Sequence, residues 1–391
     1  MNKKYLLIAT ALLLVFTGNT QPVKIKKVFA DAAKQMTLML AEIPAARQGH
    51  ADWVSPRTLE KGSLRMVPSR DWTSGFFPGI LWMLYEYTGK ESWKEQAMQY
   101  SRQLEQEKWN RGTHDMGFKL YCSYGQGYRL TGDTQMRAVI IQGARTLSTR
   151  FNPTAGVIRS WDHNRDKWDY PVIIDNMLNL ELLFAATQLS GDSSFYRIAV
   201  SHANTTMRHH FRSNYSSYHV VSYDTTTGAP VKKNTHQGYT DASAWARGQA
   251  WGIYGYTMCY RFTKDTAYLR LAQHIADFML KHPRMPADRV PYWDYDAPDI
   301  PNEERDASAA AVLASGLYEL SGYTENGKYY RKQADHILRS LTQKYRAPAG
   351  TAHGFILLHS TGSKPAKSEV DVPLIYADYY YLEALLRSRG K

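Results

Sequence analysis

Apolar residues along this chain fall into two kinds of segment that alternate. In one kind they surround the segment on all sides, as at 76–87, 173–189 and 307–320. In the other they recur at helical spacing with charges between them, as in Leu269, Ala272, Ile275, Ala276 and Met279. A stripe of that period predicts an amphipathic helix at the surface, and a helix apolar all round predicts burial. Polar turns join the two kinds five times: Thr88-Gly89-Lys90-Glu91, Thr131-Gly132-Asp133-Thr134, Ser190-Gly191-Asp192-Ser193, Thr263-Lys264-Asp265-Thr266 and Thr324-Glu325-Asn326-Gly327. Glycine just past one helix and Asp, Ser or Thr just before the next is stop-and-start chemistry. An amphipathic segment at 23–43 opens the series and a buried one at 374–387 closes it, which makes six outer and six inner helices. The expected fold is therefore all-α, an (α/α)6 barrel in one domain over residues 21–391. An open helical solenoid is the alternative. Short strand pairs are expected only near 220–223 or 355–359.

Composition changes this picture in three places. The chain of 391 residues is 43% hydrophobic and carries 10 Trp and 28 Tyr, which excludes disorder and leaves aromatic rings for a sugar-lined cleft. The net charge of +12 favours an acidic partner. The charges are scattered, however, and no nucleic-acid-binding signature accompanies them, so no nucleic acid is expected. At the N-terminus Lys3 and Lys4 precede an apolar run to Phe16 and then a polar stretch. That is the order of a secretory signal peptide over residues 1–20, too short to span a bilayer. No membrane anchor is expected, and a periplasm is the expected destination. Cys122 and Cys259 lie in apolar helical patterns and read as buried thiols rather than a disulfide.

The unusual residues cluster in the loops that lead into the inner helices. Those loops hold Asp71 and Trp72, His114 and Asp115, Asp175 and Asn176, Gln237, Trp245 and Arg247, and Asp306. In a barrel all these starts share one end, so residues distant in sequence meet at one mouth. Asp115 and Asp175 each adjoin apolar residues. Burial raises a carboxyl pKa and keeps a general acid protonated. Each could instead cap its helix, a role that Asp306 fits best. No zinc-binding pattern, phosphate loop or Ser-His-Asp signature is present. His209-His210 reads as a helix C-terminus. No metal and no cofactor are expected. Paired acids among aromatics point to sugar chemistry.

The motifs Trp72-Thr-Ser-Gly-Phe-Phe-Pro-Gly, His114-Asp-Met-Gly-Phe, Ile174-Asp-Asn and Trp245-Ala-Arg-Gly-Gln-Ala-Trp, with Tyr376-Ala-Asp-Tyr-Tyr-Tyr-Leu-Glu-Ala-Leu at the end, together resemble glycoside hydrolase family 88, the unsaturated glucuronyl hydrolases. The likeness runs from about residue 30 to 387. It implies a glycosidase that removes a terminal 4,5-unsaturated glucuronic acid from fragments left by polysaccharide lyases. By resemblance Asp175 is the proton donor and acceptor, and Asp115 is the second essential carboxylate. His114, Phe118, Gln237, Trp245, Arg247 and Trp251 match the same motifs and are expected to bind substrate, with Trp72 offering a ring face and Arg247 pairing with the uronate. His219 is a further expected contact. The loop 360–368 could meet a sulfate or be merely solvated. The implied partner is an unsaturated oligosaccharide, with no obligate protein partner. An unsaturated rhamnogalacturonyl hydrolase, a non-catalytic binder of acidic sugars and an ordinary inverting glycosidase stand as alternatives.

Overall fold

The structure, a computed structural model, describes residues 22–390. The expected signal peptide lies outside the described residues. Among the described residues, twelve α-helices alternate between two rings. The outer ring is α1 (Ile25–Ala46), α3 (Glu91–Arg102), α5 (Thr134–Ser148), α7 (Ser193–His209), α9 (Thr266–Lys281) and α11 (Gly327–Ser340). The inner ring is α2 (Phe76–Thr88), α4 (Gln126–Thr131), α6 (Asn176–Ser190), α8 (Ala246–Thr263), α10 (Ala307–Ser321) and α12 (Ile375–Ser388). A π-helical lead-in, Gly117–Gly125, extends α4 to full length. Inner helices touch in ring order, and α12 packs back against α2. That last contact closes the barrel and excludes the solenoid. No helix among the described residues is long and apolar enough to cross a membrane.

Local chemistry explains the alternation. Gly89, Gly132 and Gly191 end inner helices in the left-handed conformation, with φ of 67°, 70° and 77°. Asp133, Asp192 and Asp265 then accept backbone N–H groups at the next helix start. On α9 the buried stripe is Tyr268, Leu271, Ala272, Ile275, Ala276 and Met279. Leu269, expected in that stripe, is only half-buried. The inner helices crowd together. A Cβ on Gly79 would stand 2.5 Å from both the Cys122 carbonyl oxygen and the Tyr379 ring, so only glycine lets α2 approach its neighbours here. Both cysteines are buried free thiols. His210 caps α7 fully buried, and burial drives its pKa well down. It is therefore uncharged.

Strands are few, but their positions matter. The pattern of the sequence did not reveal the antiparallel hairpin of β1 (Trp53–Glu60) and β2 (Ser63–Pro68), which turns at Lys61 and Gly62 with positive φ. Strands β3 (Phe151–Asn152) and β4 (Val157–Ile158) form a small pair. A three-stranded sheet joins β5 (Pro171–Ile173), β6 (Val220–Tyr223) and β7 (Pro230–Asn234). The expectation at 220–223 holds. At 355–359 the pairing shrinks to an isolated antiparallel bridge between Leu357 and Arg346, because buried Asp378 accepts the N–H groups of Ile356 and Leu357 at 2.9 and 2.8 Å. Asp378→Asn leaves an amide NH2 facing one of those donors. It should cost about 2 kcal/mol of stability in a urea titration. A change under a few tenths of that would show that the segment is held without this carboxyl.

Candidate active site

The loops entering the inner helices meet at one end, and the two acids come together there through a glycine. Gly117 packs against Asn179 of α6, where a Cβ would lie 2.6 Å from the Asn179 Cα. The Phe118 N–H donates to Asn179 Oδ1 at 2.9 Å. The turn carrying His114 and Asp115 is thereby locked to the helix that Asp175 begins. A π-helical turn immediately after a functional residue is a common site device. Beneath it Lys119, wholly buried, pairs with Glu107 at 2.8 Å, and Glu107 also receives Ser69 and Asn110.

Both carboxyls are buried, yet they titrate in opposite directions. Burial lifts Asp175 to about 6, against partial opposition from His114 and Arg247, while the Asp115 charge adds to the rise. Burial also presses Asp115 upward. There it is outweighed by His114 at 3.1 Å, the Thr113 hydroxyl at 2.6 Å and the Lys119 charge, and the carboxyl ends below its ordinary value. Burial alone would keep both acids protonated; the neighbours divide them, so that Asp175 is the group that keeps a proton and Asp115 is a fixed anion. Asp175 makes no side-chain cap bond to α6, whereas Asp306 caps α10 through the N–H groups of Ser308 and Ala309. Capping thus does not account for Asp175.

His219 completes the centre. Its Nδ1 accepts the backbone N–H groups of His236 and Gln237 at 3.1 Å each, which assigns the proton to Nε2. That nitrogen lies 3.6 Å from Asp175 Oδ2, too far for a hydrogen bond. Both atoms are buried without a partner, so they face a shared gap. Burial drives the His219 pKa far down, so the ring is neutral. It can donate to a carboxylate or orient a water.

Other expected residues divide between the mouth and the core. Trp72 is half-buried, with its ring 4.9 Å from Tyr376 and 5.5 Å from Phe118. Phe118, 1% exposed, forms the floor. Trp245 packs 4.5 Å from His219. Trp251 is 0% exposed and wedged between Phe118 and Tyr380, so it offers no face to a sugar and is corrected to a core residue. Arg247 is also corrected. Its guanidinium is buried and committed to Asp306 at 2.5 Å and to the carbonyls of Thr361 and Gly362 at 2.6 and 2.5 Å. Gln237 donates to the same Gly362 carbonyl at 3.0 Å. These residues hold the loop 360–369 over the mouth rather than presenting free forks.

Sequence reasoning missed two contributors. Arg57 of β1 grips Glu369 through two hydrogen bonds of 2.6 and 2.9 Å and Asp71 through a third of 2.7 Å, so the unforeseen hairpin ties the Trp72 loop to the last loop. Trp161 follows Ser160, whose hydroxyl lies 3.3 Å from His114 Nδ1, and its half-buried ring is 5.7 Å from His236, which in turn is 6.4 Å from His219. A Trp inside the polar run 160–167, in a loop entering an inner helix, was the available signal.

Known proteins share this architecture. An unsaturated glucuronyl hydrolase of Formosa agariphila is 52% identical over 326 residues, 83% of this chain and 81% of the relative. An unsaturated chondroitin disaccharide hydrolase of Streptococcus pyogenes is 35% identical over 86% of this chain and 85% of its own length. The crystal structure of an unsaturated glucuronyl hydrolase specific for heparin superposes with a TM-score of 0.88 at 46% identity, covering 94% of this chain and 97% of that one. The glucuronyl hydrolase structure from Bacillus sp. GL1 gives 0.84 at 31%, over 94% and 97%. With the family description matched across residues 51–383 as well, the chain belongs to Glycosyl Hydrolase Family 88.

Proposed function

We propose that this glycosidase removes a terminal 4,5-unsaturated glucuronic acid from lyase-generated glycosaminoglycan fragments, by hydrating the C4=C5 bond. The observation that carries the reading is the pair of oppositely tuned acids: a buried Asp175 held near 6 beside an ionised Asp115. The substrate's ring is a vinyl ether. Asp175 gives its proton to C4, and the π electrons form the new C4–H bond. Positive charge develops at C5 and the ring oxygen, where the Asp115 carboxylate stabilises it. Water then bonds to C5 and returns a proton to Asp175. The C5 hemiketal opens to a ketone, which frees the ring oxygen as a hydroxyl on C1. That hemiacetal collapses and releases the remaining sugar. One water is consumed. Neutral His219, with its Nε2–H facing Asp175, orients the water.

The conjugated ene-carboxylate absorbs in the near ultraviolet, so this reaction bleaches its own substrate. Bleaching of chondroitin- or heparin-derived unsaturated disaccharides supports the reading. Hydrolysis confined to saturated disaccharides, or to pectin-derived fragments, overturns it. Binding without bleaching marks a sugar-binding protein instead.

The tuned acids also set the pH dependence. The first step needs protonated Asp175, which is present below about pH 6 and lost above it. It also needs ionised Asp115, whose pKa lies below the ordinary 3.8. Expected kcat/KM is therefore level between about pH 4 and 6 and falls up to about tenfold per unit above that. A rate that climbs from pH 6 to 8 would assign Asp175 a purely basic role.

A further inference from the structure

A cavity lies at the far end of the barrel from the two acids. The catalytic loops enter the inner helices at their starts, whereas this cavity is walled by residues near their ends, among them Glu86 of α2, Arg129 of α4, Arg261 of α8 and Arg387 of α12. Its volume is about 240 Å³, below the range of drug-sized sites, so it suits one small ring rather than a chain. Phe118 divides it from the catalytic mouth: the residue that floors the mouth also lines the cavity.

The ions of the wall are matched with one another. Arg129 pairs with Glu86. Arg261 holds Glu181 and Glu319 at 2.8 Å each, and Arg387 reaches Glu319 at 3.1 Å and Glu383 at 3.6 Å. With Arg389, which lies over the Tyr87 ring, four guanidinium groups meet four carboxyls. The wall therefore carries no surplus charge to select an ion.

Hydrogen-bonding groups of both kinds are left over. Tyr380 lines the cavity and is 2% exposed, and its hydroxyl makes no hydrogen bond among the described residues. One carboxylate oxygen of Glu181 takes the Arg261 Nη1 donor at 2.8 Å, while its other oxygen has no partner among the described residues. The buried Arg261 Nη2 has none either. An unsatisfied buried polar group costs free energy that a ligand's hydroxyl would recover. Around these groups stand the rings of Phe118, Tyr121 and Tyr254.

A hydroxyl can donate to Glu181 and accept from Arg261, whereas an ammonium or a carboxylate satisfies only one of the two. The aromatic wall suits the C–H face of a sugar ring. We propose that this cavity is a binding site for a neutral monosaccharide, a hexose or an N-acetylhexosamine, separate from the catalytic mouth. The sugar's hydroxyls meet Glu181, Arg261 and Tyr380, and its ring rests on the wall that Phe118 shares with the mouth.

Calorimetric titration of the full protein with galactose, N-acetylgalactosamine, galactosamine and galacturonate tests this. Saturable binding is expected for the two neutral sugars, and weaker binding for the two charged ones. Tyr380→Phe removes one hydroxyl and keeps the ring, so it should weaken the neutral sugars about fivefold, the worth of about one hydrogen bond. Should that variant not fold, Glu181→Ala removes the acceptor and should weaken them at least as much. Asp115→Asn, a change at the mouth, should leave the affinities within about twofold. Absence of saturable binding by either neutral sugar overturns the proposal. Tighter binding of galactosamine or galacturonate does so too, since it would make the cavity an ion site. So does an affinity that the cavity variant leaves unchanged, or that Asp115→Asn lowers as much, which would return the sugar to the mouth.

Discussion

Asp175→Asn is expected to abolish bleaching of unsaturated disaccharides, cutting kcat by about 10³-fold or more, and to leave the protein more stable at pH 7. Loss of a positioned general acid costs about 10²–10⁴, and here the same group must also take the proton back from water. The stability gain follows from the same burial. Asp175 is 9% exposed, and its pKa rises from 3.8 to about 6 on folding. Between those values the folded state holds a proton that the unfolded chain has lost. The group's contribution to stability is therefore present below about pH 3.8 and is lost as pH rises through about 6. At pH 7 the folded enzyme carries a charge with no ion-pair or hydrogen-bond partner on Oδ2. An amide removes that charge, which should raise Tm by about 2–4 °C at pH 7 and by almost nothing at pH 4. Thermal melts at the two pH values and a bleaching assay measure both effects. Turnover within tenfold of the original would show that another group protonates C4. A Tm that falls equally at both pH values would show that the carboxyl is structural.

Arg247→Met should cost about 3–5 kcal/mol of stability, the largest loss expected from any single change at the mouth. Arg247 and Asp306 are 1% and 0% exposed, and their ion pair is 2.5 Å long. Removing the guanidinium strands the Asp306 charge inside the barrel and frees two carbonyls of the last loop. The second change Asp306→Asn should restore part of the loss, because the charge then goes with its partner. Urea titration of the two single variants and the double variant measures the coupling. A loss below about 1 kcal/mol would overturn the strut reading. If binding of the unsaturated sugar also fell while a neutral analogue was unaffected, Arg247 would return to the role of uronate fork.

The barrel was legible because its evidence is local. Gly89, Gly132 and Gly191 stop helices and Asp133, Asp192 and Asp265 start them within a few residues, so hydrophobic period and turn chemistry suffice. The hairpin at 53–68 was not legible. Its strands pair with a bulged register and one edge bridges to Leu374, a contact set by a helix at the far end of the chain. The acids were found as residue types in loops that enter inner helices. Their opposite tuning was not found, because it depends on what surrounds each one. Thr113, His114 and Lys119 reach Asp115, while Asp175 has no charged partner within hydrogen-bond reach and feels His114 and Arg247 only at a distance. Arg247 and Trp251 were misplaced for a related reason. A motif names a residue but not the direction it faces, and here Asp306 and the carbonyls of 361–362 claim the one while Phe118 and Tyr380 enclose the other.

The sequence by itself determined the alternation of inner and outer helices and which loops share one end of the barrel, because periodicity, caps and loop composition act over short spans of chain. Only the tertiary structure decided which aspartate holds a proton, which cations are already spent on protein carboxylates and which rings remain open to a sugar. Desolvation and charge pairing depend on three-dimensional neighbours, and even those close in sequence, such as Thr113, His114 and Lys119 around Asp115, act only once the fold turns them towards the carboxyl.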